Sequence, residues 1–151
     1  MSYDALIDAL SGYIETNADG VIRYFNAQRQ RHRTDGPAVI HPSGTVRWYQ
    51  NGLLHRTDGP AVEHSSGAKT WYQNGLRHRN DGPAAEWQSG TREWYQHGNL
   101  HREDGPAVIY ASGEQCFYLF GKLYKSEEEY HQAVRLLNLE RAGKAVSGDA
   151  N

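Results

Sequence analysis

His55-Arg56-Thr57-Asp58-Gly59-Pro60-Ala61-Val62-Glu63-His64-Ser65-Ser66-Gly67-Ala68-Lys69-Thr70-Trp71-Tyr72-Gln73-Asn74-Gly75-Leu76-Arg77 is one period of a repeating chain. Its opening motif, His-Arg-x-Asp-Gly-Pro-Ala, starts at His32, His55, His78 and His101, and each step between starts is 23 residues. A second motif recurs between these starts as Trp48-Tyr49-Gln50-Asn51-Gly52, Trp71-Tyr72-Gln73-Asn74-Gly75 and Trp94-Tyr95-Gln96-His97-Gly98. A further glycine marks every unit at Gly44, Gly67, Gly90 and Gly113. Fixed spacing of this kind is the signature of a repeat architecture, in which each unit covers its neighbour.

The turns assign the elements within a unit. Asn74-Gly75 predicts a type I′ hairpin turn, because both central positions need a positive φ that Asn and Gly tolerate. Ser65-Ser66-Gly67 is a second, looser turn. Pro60 has no N–H to give to a ladder, so it belongs at the start of a strand. These signals predict antiparallel strands over about 60–64 and 68–73, with 76–78 running on toward the next Asp-Gly-Pro bend. Decayed copies flank the regular units: Gly20 with Tyr24-Phe25 opens a first one, and Phe117-Tyr118 with Gly121 closes the last.

Composition agrees with a sheet. The chain has 151 residues, about one domain's worth, and is only 38% hydrophobic, but its 10 Tyr, 4 Trp and 16 Gly suit strands and tight turns. A net charge of −2 is too small to hold the chain open as a coil. The sequence has no apolar run long enough to span a bilayer and an acidic rather than basic start, so no membrane insertion and a cytoplasmic location are expected. Cys116 is the sole cysteine; it cannot form an internal disulfide and reads as a small packed residue.

The Trp/Tyr-Tyr-x-Asn-Gly, His-Arg-x-Asp-Gly-Pro-Ala and later-Gly motifs resemble the variant group of MORN-type repeats, over about residues 13–124. The resemblance implies an elongated single-layer antiparallel sheet built as a β-meander of hairpin repeats. It also implies a role in scaffolding, dimerisation, protein contact or lipid-headgroup binding, and the variant repeats resemble those of bacterial, phage and large-virus proteins, mostly without an assigned activity.

Around the repeats, residues 1–12 are expected to form a short N-terminal helical cap, with Tyr3, Leu6, Ile7 and Leu10 on one side. Residues 125–141 are expected to form a longer C-terminal capping helix: Ser126-Glu127-Glu128-Glu129 reads as a capping box, and Tyr130, Ala133, Val134 and Leu137 fall on one face. Residues 142–151 read as a disordered tail.

Four copies of His-Arg-x-Asp invite a catalytic or metal reading, which the spacing opposes. Equivalent histidines two strands apart lie ~10 Å from one another, whereas zinc needs ligands at ~2.1 Å. Neither a catalytic residue, a metal nor a cofactor is expected. His32, His55, His78 and His101, with Asp35, Asp58, Asp81 and Asp104, are instead structural ties, and a guanidinium–carboxylate ladder between neighbouring units is the favoured arrangement.

Two binding readings follow. Exposed Trp, Tyr and Arg are enriched where proteins bind proteins, so a protein partner is expected on one face of the sheet. The candidate residues are Trp48, Trp71 and Trp94, Arg33, Arg56, Arg79 and Arg102, and above all the row His41, His64, Trp87 and Tyr110, which varies between units. The alternative is a phosphate-bearing small molecule or nucleotide held between the Arg and aromatic rows. Residues 21–111 hold 11 Lys+Arg against 8 Asp+Glu, too mild an excess for general nucleic-acid binding. Open sheet edges also allow pairing into a homodimer.

Overall fold

The computed structural model describes residues 12–148. The expected N-terminal helix at residues 1–12 lies outside the described residues, except for Gly12. The chain is mainly β, an antiparallel meander closed by one C-terminal helix. Strands β1 (Tyr13–Thr16) and β2 (Ile22–Phe25) open it as a hairpin. Three units follow: β3 (Val39–Ile40), β4 (Val46–Arg47), β5 (Tyr49–Gln50) and β6 (Leu53–Leu54); β7 (Val62–Glu63), β8 (Lys69–Thr70), β9 (Tyr72–Gln73) and β10 (Leu76–Arg77); β11 (Ala85–Glu86), β12 (Arg92–Glu93), β13 (Tyr95–Gln96) and β14 (Asn99–Leu100). Strands β15 (Val108–Ile109), β16 (Gln115–Leu119) and β17 (Lys122–Tyr124) precede α1 (Glu127–Gly148).

The meander is antiparallel as expected, but its ladder is not continuous. Eleven strands, β1-β2-β3-β4-β7-β8-β11-β12-β15-β16-β17, form one sheet, while β5–β6, β9–β10 and β13–β14 stand off it as separate two-stranded hairpins. The strand expected over 68–73 is divided at Trp71, for a reason visible in its backbone. The Trp71 N–H donates to the Ala84 carbonyl of the next unit at 2.8 Å, while its own carbonyl accepts from the His78 N–H at 3.2 Å. One residue thus serves the sheet with its amide and the hairpin with its carbonyl, and Trp48 and Trp94 do the same through Ala61 and His55, and Ala107 and His101.

The hairpins are themselves stitched in sequence. Gly75 N–H donates to Leu54 O and Arg56 N–H to Tyr72 O, and the pairs Gly98 to Arg77 and Arg79 to Tyr95 repeat the pattern, all between 2.8 and 3.3 Å. The turns are type I′ in character: Asn51, Asn74, His97 and Phe120 lie at φ of 49, 50, 48 and 51°, each followed by a left-handed glycine.

The core is small. Ala38, Ala61, Ala84 and Ala107, the last residue of every Asp-Gly-Pro-Ala stretch, are fully buried, with Val39, Ala85 and Val108 beside them. So little aliphatic bulk leaves much of the fold to its backbone ladders and aromatic contacts.

Helix α1 begins as a capped helix should, with Ser126 Oγ accepting from the Glu129 amide at 3.2 Å and three glutamates in the first turn. Tyr130 is fully buried, and Ala133, Val134 and Leu137 beside it are half-buried, while Leu136 and Leu139 face outward at 62% and 68% exposure. Past 141, where the tail was expected, the chain stays helical through Gly148. Good helix formers at Ala142, Lys144 and Ala145 carry it past Gly143.

Candidate functional site

Successive strand positions point to opposite sides, and the two sides of the repeat differ in kind. One, here the Trp face, carries Trp48, Trp71, Trp94 and the His-Arg-x-Asp loops. Its clefts are lined by residues such as Arg56, Asp58, Trp71, Gln73 and Arg79. The other, the Tyr face, carries Tyr72, Thr70, Arg47, His64, Arg77 and Trp87 around a cleft of about 590 Å³. No residue lines both clefts.

On the Trp face the arginine and aspartate of each motif are engaged with one another. The guanidinium of Arg56 lies 4.0 Å over the Trp48 ring, Arg79 4.1 Å over Trp71, Arg102 4.2 Å over Trp94, and Arg33 4.1 Å over Tyr24, the aromatic that opens the series. On its opposite side the guanidinium meets glycine: a Cβ on Gly59 would come within 2.9 Å of Arg56 Cζ. The Gly of Asp-Gly-Pro thus leaves room for the guanidinium to lie against the backbone, at 2.9–3.3 Å from where a Cβ would stand in the four copies. Each Arg Nε donates to the Asp two residues on, at 2.8 Å in Arg33–Asp35, 2.9 Å in Arg56–Asp58 and Arg79–Asp81, and 2.7 Å in Arg102–Asp104. Nη1 of Arg56, Arg79 and Arg102 donates to the carbonyls of Pro60, Pro83 and Pro106. Two of these arginines also meet glutamates, Arg56 to Glu63 and Arg79 to Glu86.

The expected ladder between units is thus absent for Arg and Asp: each pair closes inside its own motif, because the i, i+2 reach is shorter than the step between repeats. The hydrogen bond to Arg holds the carboxyls of Asp35, Asp58, Asp81 and Asp104 below the usual aspartate range.

The histidines make the inter-unit contacts. Nδ1 of His32, His55, His78 and His101 accepts from the backbone amide of Asn51, Asn74, His97 and Phe120 respectively, all 3.1–3.2 Å and 19 residues along. Each accepting nitrogen must be unprotonated, which sets the Nε2–H tautomer. His78 is buried, and burial followed by the neighbouring His97 pushes its pKa down. In the later units the turn residue adds ring contact: His97 lies 4.4 Å from His78 and Phe120 4.2 Å from His101.

Helix α1 completes this face. Phe117 stands where the preceding units have Trp, and the Tyr130 ring packs 4.9 Å from it. The Tyr130 hydroxyl donates to Arg102 O at 2.8 Å and accepts from Gly105 N–H. Arg141 adds a bidentate pair with Glu103 at 2.7 and 2.8 Å, and that bond holds the Glu103 carboxyl low.

The Tyr face is less closed. Of the varying row, Trp87 is 36% and Tyr110 42% exposed, His64 is exposed, and His41 is half-buried. Arg77 is anchored, donating to the hydroxyls of Tyr72 and Tyr95 at 3.2 Å each, lying 3.6 Å from Glu93, and reaching over Trp87 at 5.5 Å. Arg47 Nη1 lies 3.3 Å from His41 Nε2, and a guanidinium can only donate there. Arg23 and Arg47 both stand opposite Val39 in the ladder, one strand to each side of it. The sequence reading did not single out Arg23, Arg47 or Arg77. Arg77 is unrepeated, while Arg23 and Arg47 share one position, each preceding the aromatic of its unit and facing Val39 and Val62 respectively, and Thr70, Glu93 and Cys116 fill that position in the later units.

Among the described residues no group of three or more His, Cys, Asp or Glu side chains is arranged to hold a metal, and no helix is long and apolar enough to cross a membrane. The fold and this surface define a β-repeat meander with one internally bonded face and one open aromatic and cationic face. No model of a known protein family matches the chain, and no curated protein sequence matches it.

Proposed function

We propose that the chain is a non-enzymatic protein–protein interaction module of the MORN-variant type, and that the Tyr face is the surface that recognises the partner. One observation carries this reading: the Arg and Asp side chains of the Trp face already bond to each other, while the Tyr face offers Trp87 and Tyr110 at 36% and 42% exposure, with Arg77 reaching over Trp87. Exposed aromatic and Arg residues contribute most of the energy at protein interfaces. The role this suits best is an adaptor, or a phage- or bacterium-encoded inhibitor of a host protein, working in the cytoplasm.

The repeated residues Trp48, Trp71, Trp94, Arg33, Arg56, Arg79 and Arg102 are better assigned to the scaffold. That assignment also weakens the small-molecule reading, since Nε on each of these arginines, and Nη1 on three of them, already has an acceptor.

The test is affinity capture with the full tagged chain from nuclease-treated host lysate at physiological salt, repeated with Trp87→Ala and Tyr110→Ala. A stoichiometric protein retained by the wild type and lost with the variants is expected. Capture that is indifferent to both substitutions would move the interface off this face.

A further inference from the structure

Eighteen acidic residues are present in the chain, and the four arginines of the His-Arg-x-Asp motifs each bond to one of them. At the β2–β4 end of the Tyr face the pattern fails. Among the described residues no carboxylate stands within 4.0 Å of Arg23 or Arg47. Arg47 instead touches His41, and His64 lines the same cleft as Arg47.

We propose that Arg23 and Arg47 supply the charge, and His41 and His64 beside them the hydrogen-bonding groups, of a strip that docks an acidic segment of the partner protein, an inference that rests on the interaction reading of the same face. Three further observations support it. Burial first, then the neighbouring Arg47, Arg23 and His64, push the His41 pKa down, which places these four groups close together. His64 Nδ1 faces the Ser66 backbone amide at 3.2 Å, which leaves Nε2–H as a donor. The chain as a whole is slightly acidic, with a net charge of −2, so this strip is a local feature and not part of a generally basic surface.

The layout favours a chain over a small anion. Arg23 and Arg47 flank Val39 across β3, and two strand spacings separate their backbones by ~10 Å. An extended segment covers that distance in about three residues. A compact small-molecule site buries most of its ligand, whereas His64, Ser66, Trp87, Gln88 and Ser89 around this cleft are exposed. Charge complementarity of this sort sets orientation and partner choice at interfaces.

The probe is a fluorescein-labelled oligoglutamate peptide, read by anisotropy against the full chain at low salt, with oligoglutamine as the uncharged control. Arg23→Gln and Arg47→Gln should each weaken oligoglutamate binding about fivefold to tenfold, in the range of close interfacial charge pairs. Arg92→Gln removes an equal charge from the Trp-face side of the sheet, where Arg92 lies 6.0 Å over Trp94, and should leave binding nearly unchanged. Unfolding midpoints equal to wild type would show that the variants fold. Equal weakening by all three variants, or no preference for oligoglutamate over oligoglutamine, overturns the strip. Displacement of the peptide by inorganic phosphate at matched charge and ionic strength overturns it in favour of a small-anion site. A captured protein that Trp87→Ala releases and Arg47→Gln does not would overturn the strip alone and leave the interaction reading standing.

Discussion

Arg56 on the Trp face has Asp58, Glu63 and the Pro60 carbonyl within 3.2 Å and a Trp ring beneath it, whereas Arg47 on the Tyr face, among the described residues, hydrogen-bonds to His41 alone. The same side-chain chemistry is spent in one place and open in the other. What separates them is repetition. A residue repeated at every step contacts its equivalents' surroundings at every step, so it can be selected to complete the joint between units. A position whose residue changes along the array has no such duty, and the position of Arg23 and Arg47 and that of Trp87 and Tyr110 both change in this way. In a repeat protein, then, the most conspicuous motif describes the scaffold, and departures from it point to recognition.

The largest effect should come from breaking the end of the Trp face. Tyr130→Ala empties a fully buried aromatic site and removes the hydroxyl that bridges Arg102 and Gly105, so a loss of about 3–5 kcal/mol is expected. Chemical unfolding, with the far-ultraviolet helix signal followed in parallel, measures it. Gly59→Ala comes next: the new Cβ would meet Arg56 Cζ at 2.9 Å and lift the guanidinium off Trp48. Because the guanidinium is the movable end of its side chain, the cost is that of the cation–π contact it leaves, about 1 kcal/mol, read as a lowered urea midpoint.

Acid should weaken the joints between units. His78 is held neutral in the fold with its pKa below the ordinary histidine value, so the unfolded chain binds more protons as pH falls. Its stabilisation is therefore complete above the unfolded pKa of about 6.5 and is lost as pH drops through the folded value. Protonated Nδ1 can no longer accept from His97 N–H, a hydrogen bond worth about 1 kcal/mol. Urea midpoints should fall between pH 7.5 and 5.5, and His78→Asn should flatten that slope; an unchanged slope would remove His78 from the account of the joint.

Smaller again is the Arg141–Glu103 pair. Arg141 is about half exposed, and Glu103→Gln should cost no more than about 1 kcal/mol, less at high salt. Smallest is Trp87→Ala, expected to shift stability by only about 0.5 kcal/mol while abolishing partner capture, the contrast that sharpens the division between the faces.

Much of the fold was legible because it rests on local rules. The Asn74-Gly75 turn, the Ser126 cap and the Tyr130-Ala133-Val134-Leu137 face all follow from short-range geometry. The division of the strand at Trp71 was not legible, since it depends on Ala84 of the next unit taking the amide while His78 supplies the carbonyl's donor. The Arg–Asp partnership was half legible: two-residue spacing puts both on one side but does not say whether the pair closes within a unit or between units. The helix beyond 141 was hidden because Gly143 and the polar residues after it read as a tail. At the candidate site, the row of His41, His64, Trp87 and Tyr110 stood out by its variation, but Arg23 and Arg47 did not, because their distinction is the lack of a nearby carboxylate, which only three-dimensional neighbours reveal.

The most direct measurement pairs two readouts on two variants: urea midpoint and oligoglutamate anisotropy for Arg79→Gln on the Trp face and Arg47→Gln on the Tyr face. Arg79→Gln is expected to lower the midpoint and keep the peptide, and Arg47→Gln to keep the midpoint and lose the peptide. The reverse pattern, with binding lost in Arg79→Gln and stability lost in Arg47→Gln, would contradict the assignment of scaffold to one face and recognition to the other.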